Sequence, residues 1–135
     1  MKVSSILDGK KVATVKPDAT IKELTQRLAE LKIGALVVSK DGKNVDGIVS
    51  ERDIVRAIPL NFETFQNLHV RDIMTVNVMT CTKDATFAEL MVLMTQKRIR
   101  HIPIVGTDGS LVSIVSIGDV VKHHISEIEG ERSAL

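Results

Sequence analysis

The chain of 135 residues has no tryptophan, no tyrosine and only three phenylalanines, Phe62, Phe65 and Phe87. Stacking platforms for single-stranded nucleic acid are therefore poorly supplied. Its one cysteine, Cys81, excludes an internal disulfide framework and fits a reducing, cytoplasmic setting. A net charge of +1 gives no broad field for recruiting nucleic acid or an anionic membrane. No apolar run approaches the roughly 18 residues that span a bilayer. Met1–Ser5 is not followed by the apolar stretch of a signal peptide, so export is not expected. The sequence also lacks a Gly-x-Ser-x-Gly elbow, a Gly-x-Gly-x-x-Gly turn and a Walker A loop. His69, His101, His123, His124 and Cys81 have no metal-ligand spacing. With no nucleophile–base pair in view, the expectation is a binding protein rather than an enzyme, without catalytic cofactor or metal.

What the sequence has is a duplication. Shifted by 66 residues, Val12–Ile58 falls on Val78–His124 without a gap, and 13 of the 47 aligned positions are identical. Internal repeats take precedence over any other fold signal, and two similar halves can pack about a pseudo-twofold axis. Each copy reads as strand, helix, strand, strand, helix. Val12–Lys16 closes on Pro17-Asp18. Thr20-Ile21-Lys22-Glu23 and Thr86-Phe87-Ala88-Glu89 are capping boxes. Ile21, Leu24, Leu28 and Leu31 then recur at helical spacing, and the second copy uses Phe87, Leu90, Met91, Leu93 and Met94 as core filler. Ala35–Ser39 and Val45–Ser50 form a hairpin about Asp41-Gly42. Ile102–Val105 and Leu111–Ser116 form another about Asp108-Gly109. These strands are nearly all apolar, which predicts burial on both faces. Helices follow at Glu51–Ile58 and Ile117–Ile125. Related lead-ins, Val3–Leu7 and Val70–Met74, precede the copies. Phe62, Phe65 and Leu68 suggest a helical turn in the linker Pro59–His69, and the charged tail Glu127–Leu135 reads as a frayed end or the last part of a helix. The sequence thus divides at 68/69, a first repeat with lead-in and linker over 1–68 and a second with the tail over 69–135.

Two clusters could carry chemistry. Ser50-Glu51-Arg52-Asp53 and Ser116-Ile117-Gly118-Asp119 each sit where a buried strand turns into a helix. Ser-x-x-Asp is a good capping sequence. The same geometry offers free amides to phosphate and a carboxylate to a ribose cis-diol. The second cluster is Lys97-Arg98-Ile99-Arg100-His101-Ile102-Pro103, with Lys122, His123 and His124 on the next helix. It is either a solvated basic edge or an anion pocket in which Arg100 forks onto phosphate. The first copy has Lys32, Gly34 and Ala35 at the positions of Arg98, Arg100 and His101, so two unlike sites are expected. Cys81, between Thr80 and Thr82, reads as an inert thiol.

Together these residues resemble a tandem pair of CBS (cystathionine-beta-synthase) domains, the Bateman module. The likeness runs through Val70–Thr75, Thr80–Thr86, Ile33–Val38, Arg98–Ile104 and Ile114–Asp119. It takes in essentially the whole chain, whose end resembles small stand-alone bacterial CBS-pair proteins. The resemblance implies an α/β fold, two β-α-β-β-α repeats about a pseudo-twofold axis, with adenosine-containing ligands (AMP, ADP, ATP, NAD-type dinucleotides or S-adenosylmethionine) in clefts between the repeats. It implies that Asp53 and Asp119 hold ribose hydroxyls and that Ser50 and Ser116 touch ribose or phosphate. Thr14, Lys16, Thr80 and Thr82 would line the opposing wall. The backbone at Gly34-Ala35 and Arg100-His101 would meet the adenine edge or phosphate, with Val37 and Pro103 against the base. Arg52, Arg56 and Lys122 would serve phosphate. It further implies a homodimeric cytoplasmic sensor that reports adenylate or redox-cofactor level to an effector protein in trans. The alternative is a structural dimerisation module with vestigial pockets. Two positions depart from the pattern: Ser113, where the first copy has Gly47, and Lys83, where it has Pro17.

Overall fold

The computed structural model describes residues 1–7, 9 and 11–134. Its chain forms two compact units, Ala13–Val78 and the combination of Met1–Val12 with Met79–Leu135. These units cut the chain differently from the division at 68/69, because each lead-in packs on the other copy. Val70 N–H donates to Ala19 O (2.9 Å) and Ile21 N–H to Leu68 O (3.3 Å). In the other unit Val3 N–H donates to Ala85 O (2.8 Å) and Phe87 N–H to Met1 O (3.2 Å). Val3 and Val70 are both fully buried, which is why each lead-in is held.

In the unit Ala13–Val78, β1 (Thr14–Val15) runs parallel to β2 (Ala35–Val38), which pairs antiparallel with β3 (Gly47–Ser50). Between them α1 (Ile21–Leu31) starts at Thr20, whose hydroxyl accepts the Glu23 amide at 3.1 Å. The returning Glu23 bond of a full capping box is not formed, and nothing in the structure explains its loss. Ile21, Leu24 and Leu28 are buried while Leu31, the fourth residue of the predicted stripe, is 43% exposed. α2 (Glu51–Leu60) follows β3 directly, and α3 (Val70–Ile73) is the docked lead-in. In the linker only Phe65–Asn67 makes a 3-10 turn, and Phe62 is exposed. The core gathers Val15, Ala19, Leu24, Leu28, Leu36, Val38, Val49 and Val70. Gly47 is required by close approach: a Cβ there would lie 2.8 Å from Thr75 O, which accepts the Ile48 amide.

The second unit repeats this plan. α4 (Phe87–Lys97) opens with the complete box at Thr86 and Glu89. β4 (His101–Val105) pairs antiparallel with β5 (Leu111–Ser116), and α5 (Ile117–Ala134) carries the helix well past Ile125. The charged tail is thus helical to Ala134, and Leu135 lies outside the described residues. The core is Val3, Phe87, Leu90, Met94, Ile102, Ile104, Val115 and Val120, so the methionine-bearing helix is core filler as expected. One strand is reduced. The counterpart of β1 is a single parallel bridge, Cys81 to Ile104. Pro103 stands where β2 has Val37 and has no amide hydrogen to give across the ladder. Ser113, in place of Gly47, pairs with Ile104 and is half-buried, and the register irregularity of this hairpin falls next to that pair, between Ile104 and Val105. The expected burial on both faces holds for β2, all four residues of which are buried, whereas in β5 only Val115 is.

Two helix ends share a feature. Lys32 (φ 54°) after α1 and Arg98 (φ 55°) after α4 are left-handed, a conformation that costs a residue with a Cβ roughly 1–2 kcal/mol. In the first hairpin Asp41 Oδ1 accepts the Lys43 amide (2.8 Å) and the Asn44 amide (2.9 Å). These bonds, with those from Ser39 and the Asn44 side chain, hold its carboxyl down at about 2 against an ordinary 3.8.

Phe87→Ala should lower stability by about 3–5 kcal/mol in urea unfolding, whereas Val76→Ala, at a residue 62% exposed, should stay within about 0.5 kcal/mol. Because the folded-state pKa of Asp41 lies below its unfolded value, its contribution is present above about pH 4 and lost as pH falls toward 2. The stability gap between the protein and Asp41→Ala, measured in urea at pH 5, 3 and 2, should therefore narrow with acidity. A gap that does not change would remove the hairpin bonds as its cause.

Candidate functional site

Alternation along each strand sorts the side chains. In the first unit Val15, Leu36, Val38 and Val49 enter the core, which leaves Thr14, Ala35, Val37, Ile48 and Ser50 on the opposite face. The register brings these together: Thr14 lies beside Val37, Val37 beside Ile48, and Ala35 beside Ser50. In the second unit Ile102, Ile104 and Val115 enter the core. His101 pairs with Ser116 and Pro103 with Ile114 on the other face. Cys81 packs against the core, and burial, then the Glu89 carboxylate, pushes its thiol pKa above the ordinary value. Sequence reasoning missed Ile48 and Ile114 as members of this face. Their alternation with Val49 and Val115 was the available signal.

The strand-to-helix junction is the same in both units. Ser50 N–H and Oγ both donate to Asp53 Oδ2, at 2.8 and 3.1 Å, and Asp53 N–H donates to Ser50 Oγ at 3.4 Å. Ser116 N–H and Oγ donate to Asp119 Oδ2 at 3.2 and 2.8 Å, with Asp119 N–H returning to Ser116 Oγ at 3.2 Å. The first amide of each helix is also engaged, Glu51 N–H to Gly34 O (3.0 Å) and Ile117 N–H to Arg100 O (2.8 Å). The capping reading is thus realised in full. It uses one oxygen of each carboxylate and leaves Oδ1 of Asp53 and Asp119 without a partner among the described residues. Asp53 is half-buried and Asp119 exposed.

The remaining candidates separate by exposure. Lys16, Arg52, Arg56, Thr82, Arg98, Arg100 and Lys122 are exposed, and Thr14, Gly34, Thr80 and His101 are half-buried. Ala35, Val37 and Pro103 are buried, so their side chains offer support rather than accessible surface. The basic cluster divides. His123 stacks on the core residue Phe87, ring centroids 5.5 Å apart, and His124 Nδ1 lies 3.9 Å from Glu127 Oε2. Both histidines are half-buried, whereas Arg98, Arg100 and Lys122 are exposed. Among the described residues no group of His, Cys, Asp and Glu could hold a metal ion, and no helix is long and apolar enough to cross a membrane.

Comparison with known proteins agrees with this geometry. The CBS domain model matches residues 3–60 and again 70–126. A mitochondrial CBS domain-containing protein of Arabidopsis thaliana is 36% identical over 122 residues, covering 87% of this chain and 59% of the relative's own length. The crystal structure of a CBS-domain protein from Agrobacterium tumefaciens is 40% identical, with TM-score 0.86, covering 92% of this chain and 99% of that one. A CBS domain protein of Pyrobaculum aerophilum, solved in complex with AMP, is 27% identical, with TM-score 0.78, covering 88% and 89% of the two chains. With its strand-to-helix Ser-x-x-Asp junction formed twice and the family model matched twice, the chain belongs to the CBS domain family and carries two copies of the domain in tandem.

Proposed function

We propose that the protein is a non-catalytic regulatory module that binds an adenine nucleotide, with Asp53 and Asp119 accepting ribose hydroxyls. The observation that carries this reading is the half-used carboxylate. In each unit Asp Oδ2 is fixed by two donors from its own serine, while Oδ1 is left as an acceptor of set position. Charge-assisted hydrogen bonds of this kind are the strong ones. The second helical amide, of Arg52 or Gly118, has no partner among the described residues and adds a donor at the positive end of the helix. The relative from Pyrobaculum aerophilum that is solved with AMP supports adenosine as the ligand class. AMP, ATP and NAD-type ligands all present the ribose and phosphate that this arrangement answers.

Signalling in this reading is by differential affinity, since a ligand shifts a conformational equilibrium only if it binds the two states unequally. A homodimer is the assembly we propose for it. The equivalent helices α2 and α5 leave Val55 and Val121 in solvent at matching positions, and α5 adds Ile125 and Ile128 further along. The same stripe favours a second reading, in which association itself is the function and the ligand sites are vestigial.

AMP or NAD should raise the melting temperature, because a ligand bound only by the folded state stabilises it by mass action. No shift with a panel of adenine nucleotides at millimolar concentration would leave the association reading. Asp119→Ala should weaken ribonucleotide binding by about 10- to 100-fold, the scale of a lost hydrogen bond to a charged group, and reduce discrimination against 2′-deoxy analogues. A role confined to capping predicts instead a stability loss of about 1 kcal/mol with affinity unchanged. Calorimetric titration with AMP and 2′-deoxy-AMP separates the two.

A further inference from the structure

Among the described residues, Lys32 and Arg98 are the only non-glycine positions with positive φ. They are equivalent in the repeat. Each ends its helix in the same way: Ile33 N–H donates back to Leu28 O at 3.2 Å, and Ile99 N–H to Met94 O at 3.1 Å. Glycine is the default residue for such a left-handed cap. The chain does use glycine where the backbone alone decides, at Gly42 and Gly109 in the hairpin turns. At the two helix ends it uses long cations instead.

Comparison of the copies sharpens the point. Most cations in the aligned 47 positions have no cation at the equivalent position of the other copy: Lys16 aligns with Thr82, Lys22 with Ala88, Arg52 with Gly118 and Arg100 with Gly34. Positive charge is kept in both copies only at Lys32 with Arg98 and at Arg56 with Lys122. Lys32 and Arg98 are exposed, and their side chains make no hydrogen bond or ion pair among the described residues. The side chains therefore add no hydrogen bond or ion pair that would offset the backbone strain. Their place in the fold suggests another use. Two residues further on, Gly34 O and Arg100 O accept the first amide of the helix that carries the Ser-x-x-Asp junction. Two residues of extended chain span at most about 7 Å, within reach of a lysine or arginine side chain.

We infer that Lys32 and Arg98 are anion-contact residues, one in each unit, kept cationic at positions that glycine would fill with less strain. The inference runs from an observed backbone outlier to function and rests on the adenine-nucleotide reading above. The anion is the phosphate of the bound nucleotide, so these side chains distinguish nucleotide from nucleoside. A cation also interacts favourably with the C-terminal end of a helix dipole, and that account needs no ligand.

The two accounts part on substitution in the full chain. Lys32→Gly and Arg98→Gly should each raise the ligand-free melting temperature by about 2–4 °C through relief of the left-handed strain. Each should weaken AMP about fivefold or more by calorimetric titration and leave adenosine within about twofold, as a lost charge contact requires. Lys32→Arg and Arg98→Lys should keep AMP affinity. Unchanged AMP affinity in both glycine variants would overturn the inference, as would an equal loss for AMP and adenosine, which would point to backbone position. A fall in melting temperature would overturn the strain argument on which it stands. If the unsubstituted protein binds neither AMP nor adenosine, the adenine-nucleotide reading itself fails, and that is seen before any substitution is made.

Discussion

The junction at which a buried strand becomes a helix sets most of what this chain can do. Ser50 and Asp53, and again Ser116 and Asp119, exchange three hydrogen bonds within four residues. The first helical amide reaches back to the residue just before the neighbouring strand, Gly34 or Arg100. Sheet and helix are thereby locked together. The first and third amides of each helix are satisfied, the serine rotamer is fixed, and one aspartate oxygen is immobilised so that the other is presented in a defined direction. Capping and binding use different oxygens of one carboxylate, so they are not competing explanations of the motif.

The strands extend this division of labour. A period of two puts Val15, Leu36, Val38 and Val49 into one core, and Ile102, Ile104 and Val115 into another. The face that carries Thr14 and Ser50, or His101 and Ser116, is the remainder. Substitution on the core side costs packing, as it does at the buried Ala35, Val37 and Pro103 of the other face, while substitution at the more exposed residues of that face changes what it can recognise. Val3 and Val70 close cores built by the copy that they do not directly precede in sequence.

Much of this was legible because repetition and local chemistry point the same way. The order of strands and helices, the hairpin turns at Asp41-Gly42 and Asp108-Gly109, and the Ser-x-x-Asp caps are all local signals, and each appears in the structure. What was not legible depends on partners distant in sequence. Val3–Leu7 and Val70–Met74 read as preludes to the copies they precede, but hydrogen bonds to Ala85 and Ala19 assign them elsewhere. His123 read as part of a basic edge until Phe87, 36 residues earlier in the chain, took it into a stack. Val12–Lys16 and its second copy look alike as strands. Only the pairing with Val37 in one case and Pro103 in the other leaves a two-residue strand and a single bridge.

That last difference bears on how the two copies diverged. Gly34 and Arg100 present the same carbonyl to the same helical amide, at 3.0 and 2.8 Å, so the backbone contact is indifferent to the side chain it carries. Ala35 and His101 likewise occupy the same place opposite the capping serine. Replacing Gly-Ala by Arg-His therefore adds a guanidinium and an imidazole to an unchanged frame. Pro103 loses a ladder bond but keeps its place beside Ile114. A frame held by backbone bonds lets recognition residues change without refolding, which is the physical reason that a duplication of this kind can yield two unlike halves.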